Sequence, residues 1–130
     1  MGRPGQRTIL LVEDDRFLRK AAEAALRQAG FAVVTAADGE QALSVARAEA
    51  PDLILLDVIM PKLQGFEVLA ALKHDARTAP IPVLMLSNLG QEQDVRRAMD
   101  GGAADYLIKA NLSLQALVKR VQQGLAGGAG

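Results

Sequence analysis

Cysteine is absent from these 130 residues. That one absence removes disulfides, thiolate metal sites and cysteine nucleophiles together. Tryptophan is missing too, and one Tyr and three Phe are the only aromatics, so the core must be built from Leu, Val, Ile, Ala and Met. Neither charge is in excess, with 15 Lys plus Arg against 15 Asp plus Glu. A formally neutral chain has no general attraction for nucleic acid or an anionic membrane. No apolar run approaches the roughly 20 residues that span a bilayer. The opening MGRPGQR is polar and lacks the apolar centre of a signal peptide. The one histidine, His74, falls late in a helical stretch, where a solvated position is expected. These absences describe a soluble, cytoplasmic domain. The length suits one domain with a sizeable core. We place it at 8–125, between a flexible segment 1–7 and a flexible tail or linker stub at 126–130.

What is present is a strict alternation. Ile9 to Val12 is an apolar run that ends in Glu13, Asp14 and Asp15. From Arg16 to Ala29 apolar residues recur at helical spacing, and Gly30 supplies a stop. Phe31 to Thr35 reads as a strand, and Asp38 as the N-cap of a helix reaching about Ala48, with Pro51 blocking continuation. Leu53 to Leu56 is continuously apolar, which suits a strand buried on both faces, and it delivers Asp57 to its carboxyl end. Met60-Pro61 turns the chain, and a helix starts at about Gly65. Pro80 and Pro82 fence off a strand from Val83 to Leu86 that ends at Ser87. A charged amphipathic helix from Gln91 to Met99 closes at Gly101-Gly102. The strand from Asp105 to Ile108 ends at Lys109, and Ser113 caps a last helix through Leu125. Five strands alternating with five helices predict an α/β fold, a parallel sheet covered on both sides. The strand order does not follow from the pattern.

In a parallel sheet all carboxyl ends share one edge, the edge at which ligands bind in open α/β folds. Glu13, Asp14, Asp57, Ser87 and Lys109 therefore converge. Clustered carboxylates repel and push one pKa upward. A hard cation relieves that conflict, and Mg²⁺ takes oxygen ligands, typically one or two carboxylates with waters and phosphate oxygens. With no His or Cys nearby, zinc and copper are disfavoured. A cation, a hydroxyl and a lysine around an aspartate are the parts of a phosphoryl-transfer site, with the aspartate forming an acyl phosphate.

LLVEDD, LLDVIMP, Ser87 and DYLIK together resemble the receiver domain of two-component response regulators, over about Thr8 to Leu125. The resemblance implies a flavodoxin-like sheet of order 2-1-3-4-5. It implies that Asp57 accepts a phosphoryl group from the phosphohistidine of a histidine kinase or phosphotransfer protein. Asp14 would bind Mg²⁺ directly and Glu13 through water, with Asp57 and the backbone carbonyl of Ile59 completing the protein ligands. Asp15 would be left as a helix cap. Lys109 would pair with phosphoryl oxygens, while Ser87 and Tyr106 would be the switch pair, Tyr106 turning inward as Ser87 is drawn away. The surface of the fourth helix, fifth strand and fifth helix would then change shape, for a downstream protein, an attached output domain or a second copy. Such a domain is a phosphoacceptor and not an enzyme, promoting only its own phosphorylation and dephosphorylation. It binds neither nucleic acid nor membrane itself.

The chain departs from the family pattern in places. Ala110 follows Lys109 where the family has proline after a cis peptide, which leaves open whether this bond is cis or trans. Asn88 stands where the family favours a smaller residue. Ile59 and Leu89 put apolar side chains where the attacking water is flanked, predicting slow loss of the phosphoryl group. A phosphorylation-independent pseudo-receiver is the alternative. A phosphatase of the haloacid dehalogenase type is disfavoured because Val58 and Ile59 follow Asp57 where that class has a second Asp. A nucleotide-binding module is disfavoured by the lack of a Gly-rich loop after the first strand.

Overall fold

The computed structural model describes residues 5–60, 63–88 and 91–128. Its elements run β1 (Thr8–Val12), α1 (Arg16–Gln28), β2 (Ala32–Ala36), α2 (Gly39–Glu49), β3 (Leu53–Asp57), α3 (Gly65–Lys73), β4 (Val83–Ser87), α4 (Glu92–Asp100), β5 (Asp105–Ile108) and α5 (Leu114–Gly128), with a short 3₁₀ turn at Lys109–Asn111. The five strands form one sheet in the order β2-β1-β3-β4-β5, and every pairing is parallel. This is the flavodoxin-like order the resemblance implies.

Continuous apolar runs were needed because the central strands face helices on both sides. Ile9, Leu11, Leu53, Leu55, Leu84 and Leu86 pack with Ala22 and Leu26 of α1 and Leu117 and Val121 of α5. The alternate residues Leu10, Val12, Ile54, Leu56, Val83 and Met85 pack with α2, α3 and α4 through Ala42, Val68, Leu72 and Ala98. Leu53, Ile54, Leu55 and Leu56 are at most 1% exposed. Burying each such side chain is worth about 1.5–3 kcal/mol. Small residues set the helix distance: a Cβ on Gly124 would come 2.9 Å from Leu53 Cδ1, so α5 lies close on the sheet.

Local chemistry sets the helix ends. Asp15 caps α1 by accepting from the Phe17 and Leu18 amides, as the resemblance implied. Asp38 caps α2 through the Gln41 amide, and the Ser113 hydroxyl accepts from the Ala116 amide in α5. Gly30 has φ +101°, a conformation that explains why glycine ends this turn. Ala50 takes φ 45° without being glycine, immediately before Pro51, which blocks any helical continuation.

Some boundaries differ from the sequence reading. β2 begins at Ala32, since Phe31 is used to close the α1 turn through Leu26, although its side chain is buried as a strand residue's would be. α5 continues through Ala126 and Gly127 to Gly128, past the Leu125 end the apolar spacing gave. His74 caps the end of α3 and is exposed, as expected. Pro61 and Leu89 lie outside the described residues.

Candidate functional site

The carboxyl ends of β1, β3 and β5 bring three ionisable groups into one pocket. Glu13 directly follows β1, its amide donating to the Ala36 carbonyl of β2 at 3.1 Å, and it is fully buried. Asp57 ends β3 and is 3% exposed. Lys109 follows β5 and reaches both acids, with Nζ 2.7 Å from Glu13 Oε1 and 3.0 Å from Asp57 Oδ2. By strand alternation these three continue the α1/α5 face of the sheet, on which Leu11, Leu55 and Leu107 lie. Asp57 Oδ1 accepts the Ile59 amide at 3.2 Å, so Asp57 has a donor on each oxygen. The Ile59 side chain is 56% exposed at the rim.

Asp14 is exposed at the pocket mouth. One carboxylate oxygen from each of Glu13, Asp14 and Asp57 lies within 4.8 Å of the other two. Three acids face one ammonium. Glu13 Oε2 accepts the Asp15 amide at 3.1 Å, and Oε1 is ion-paired to Lys109 Nζ at 2.7 Å with no further partner among the described residues. Burial pushes the Glu13 carboxyl up to about 7, with Asp57 adding to the rise and Lys109 opposing it. Burial works against the Lys109 ammonium, yet its hydrogen bonding and attraction to Glu13 and Asp57 outweigh that, and its pKa is raised.

This arrangement fits a hard divalent cation. Octahedral Mg²⁺ at about 2.1 Å needs ligand oxygens about 3–4 Å apart, close to the spread of the three acids. Glu13 Oε1 has only the Lys109 ion pair among the described residues, which leaves it room for a cation's hydration water. Every side-chain donor in the cluster is a carboxylate oxygen, as Mg²⁺ prefers.

Ser87 ends β4, two residues along from Met85, the β5-facing partner of Tyr106. Both are buried, at 1% and 8% exposure, and Ser87 is close enough to act on the Tyr106 hydroxyl. Burial raises the Tyr106 pKa, the Ser87 contact offsets part of that, and Asp94 and Asp57 add to it. Tyr106 belongs to the buried core on this side of the sheet. The Lys109–Ala110 peptide is trans, since the described residues contain no cis bond, and Lys109 still reaches both acids. Asn88 is exposed beyond Ser87.

Two contributors were missed in the sequence. A Cβ on Gly65 would lie 2.4 Å from the Asp57 carbonyl oxygen, so the start of α3 packs directly on the β3 backbone. The glycine itself was the available signal. Arg19 of α1 donates to the Glu13 carbonyl at 2.8 Å, and no pattern of spacing pointed to it.

The family model of the response regulator receiver domain matches residues 9–122. The chain belongs to that family. This receiver domain is 46% identical over 101 residues, 78% of the chain, to the DNA-binding dual master transcriptional regulator RpaA of a Synechocystis strain. It is 39% identical over 115 residues, 88% of the chain, to the gliding motility regulatory protein of Myxococcus xanthus. The match covers 42% of the first relative and 15% of the second, so it takes in only part of either protein. Among solved structures, the chemotaxis protein CheY4 of Vibrio cholerae superposes with a TM-score of 0.85 at 31% identity, covering 91% of this chain and 98% of that one. No described helix of the receiver domain is long and apolar enough to cross a membrane.

Proposed function

We propose that Asp57 is the phosphoacceptor of a two-component system, taking a phosphoryl group from a phosphohistidine on a histidine kinase or phosphotransfer protein. One observation carries this reading: a nearly buried carboxylate with Lys109 Nζ 3.0 Å away, sharing a pocket with Glu13 and Asp14. An Asp57 oxygen attacks phosphorus. The O–P bond forms as the N–P bond breaks, and the electron pair leaves with the imidazole, which solvent reprotonates. Asp14 and Asp57, with Glu13 through water and the Ile59 carbonyl, would hold Mg²⁺, which when bound neutralises charge on the transferring group. Lys109 turns its ammonium from Asp57 to the incoming phosphoryl oxygens, and the Ile59 amide stays aimed at the acceptor carboxylate.

Phosphorylation adds about −1.5 to −2 charge and new acceptor oxygens. Those oxygens compete with Tyr106 for the Ser87 hydroxyl. The balance between conformations moves only as far as this differential contact allows. The readout is the α4–β5–α5 face, offered to a target protein, to an output segment of a longer chain like the DNA-binding relative, or to a second copy. On this reading the domain acts on no other substrate, works in the cytoplasm, and contacts neither nucleic acid nor membrane itself.

Mixing the protein with Mg²⁺ and acetyl phosphate should give an intact-mass gain of one phosphoryl group that is lost in Asp57→Asn. No gain in the unaltered chain would favour a phosphorylation-independent interaction module. The exposed apolar Ile59 side chain predicts a long-lived acyl phosphate. In Ile59→Asn the decay, followed by mass, should speed several-fold, and an unchanged lifetime would remove Ile59 from that role.

A further inference from the structure

Glu13 and Asp14 are sequence neighbours, and in an extended chain neighbouring side chains point to opposite faces. Yet both place a carboxylate oxygen within 4.8 Å of the other and of Asp57. The backbone therefore leaves the extended path after Glu13, bending at Asp14, and is held in that bend. The Glu13 amide is fixed on the Ala36 carbonyl and the Asp15 amide on Glu13 Oε2, both at 3.1 Å. Neither bond involves Asp14. Arg19, one turn into α1, supplies the missing contact: its Nη1 donates to the Glu13 carbonyl at 2.8 Å and reaches the Asp14 carbonyl at 3.4 Å. The first is a full charge-assisted bond and the second a weak branch of it.

We propose that Arg19 is a positioning residue for cation binding, holding the two successive carbonyls toward α1 so that both acidic side chains turn into the pocket beside Asp57. This rests on the reading of Glu13, Asp14 and Asp57 as cation ligands. It also has a distinctive sign. If the guanidinium acted by charge alone it would repel a divalent cation, and its removal would tighten binding. Loss of a group that orients ligands instead weakens metal affinity, typically 10–100-fold.

The test is calorimetric titration of Mg²⁺ into the full chain and into Arg19→Met and Arg19→Lys, with each melting temperature measured in chelator. Arg19→Met should bind about tenfold more weakly, and Arg19→Lys, which keeps one charged donor, should recover most of that loss. Equal or tighter Mg²⁺ binding by Arg19→Met overturns the proposal, and so does an Arg19→Lys as weak as Arg19→Met. A fall in the chelator melting temperature with affinity intact would also overturn it, because the role would then be structural only. Should Arg19→Met fail to fold, Arg19→Gln takes its place with the same expectation. If the unaltered chain takes up no Mg²⁺, the ligand reading falls as well; if it does and Arg19→Met matches it, only this proposal falls.

Discussion

Asp57 and Asp75 are both aspartates drawn in against cationic side chains, and they differ in how completely they are supplied. Asp75, in the turn after α3, receives Arg77 on both oxygens at 3.1 and 2.9 Å, Arg47 from α2 at 3.1 Å and the Arg77 amide at 2.9 Å. The Arg77 guanidinium, helped by the Arg77 amide and by Arg47, holds its carboxyl well below the usual range. Asp57 and Glu13, among the described residues, share the single ammonium of Lys109. A carboxylate with all its acceptor positions taken fastens α2 to the loop after α3. An undersupplied cluster is poised to take up something from solution. The shortage of partners, more than the presence of acids, separates the reactive site from the structural one.

The contrast can be broken most forcefully at Lys109. Removing one partner of a buried charge cluster typically costs 3–5 kcal/mol. Lys109→Met should therefore lose about 3 kcal/mol by urea unfolding in chelator and regain part of it when Mg²⁺ is added. A loss that Mg²⁺ leaves untouched would mean the cluster is no cation site. Next in size is Glu13. Its folded carboxyl titrates at about 7 against an ordinary 4.5, so the protonated form favours folding. That contribution is complete below about pH 4.5 and is lost as pH rises through about 7. In chelator, the unaltered protein should lose about 1–3 kcal/mol between about pH 5 and pH 8, while Glu13→Gln stays flat. The smallest effect belongs to Asp75→Asn. Its depressed pKa gives the opposite sign: the contribution is present at neutral pH and fades as pH falls through the acid range. The variant should melt slightly lower at pH 7 and still be phosphorylated at Asp57. Impaired phosphorylation would show the two aspartates to be coupled.

Much of this was legible in the sequence for a simple reason. Strands facing helices on both sides must be apolar throughout, and parallel strands must end on one edge. Leu53 to Leu56 therefore announced β3, and Glu13, Asp57 and Lys109 came together in the pocket as their positions at strand ends required. Asp15, Asp38 and Ser113 were legible because capping is chemistry between near neighbours. What stayed hidden depends on contacts distant in sequence or on packing. Arg47 meets Asp75 from 28 residues away. The buried setting of Tyr106 depends on the depth of the α4 side of the core, and the extent of α5 on its docking against Leu53 and Leu84. Ala110 settled nothing by itself, and the bond before it is trans and still delivers Lys109 to the acids.

Because side chains alternate along each strand, the sheet separates two compartments. Glu13, Asp57 and Lys109 continue the layer that faces α1 and α5, while Ser87 and Tyr106 belong with the layer beneath α3 and α4. Charge gathered on one side is nonetheless felt on the other, where Asp57 helps to raise the pKa of the Tyr106 hydroxyl. The sheet is thus a partition that keeps the two sets of side chains apart without insulating one from the other's field.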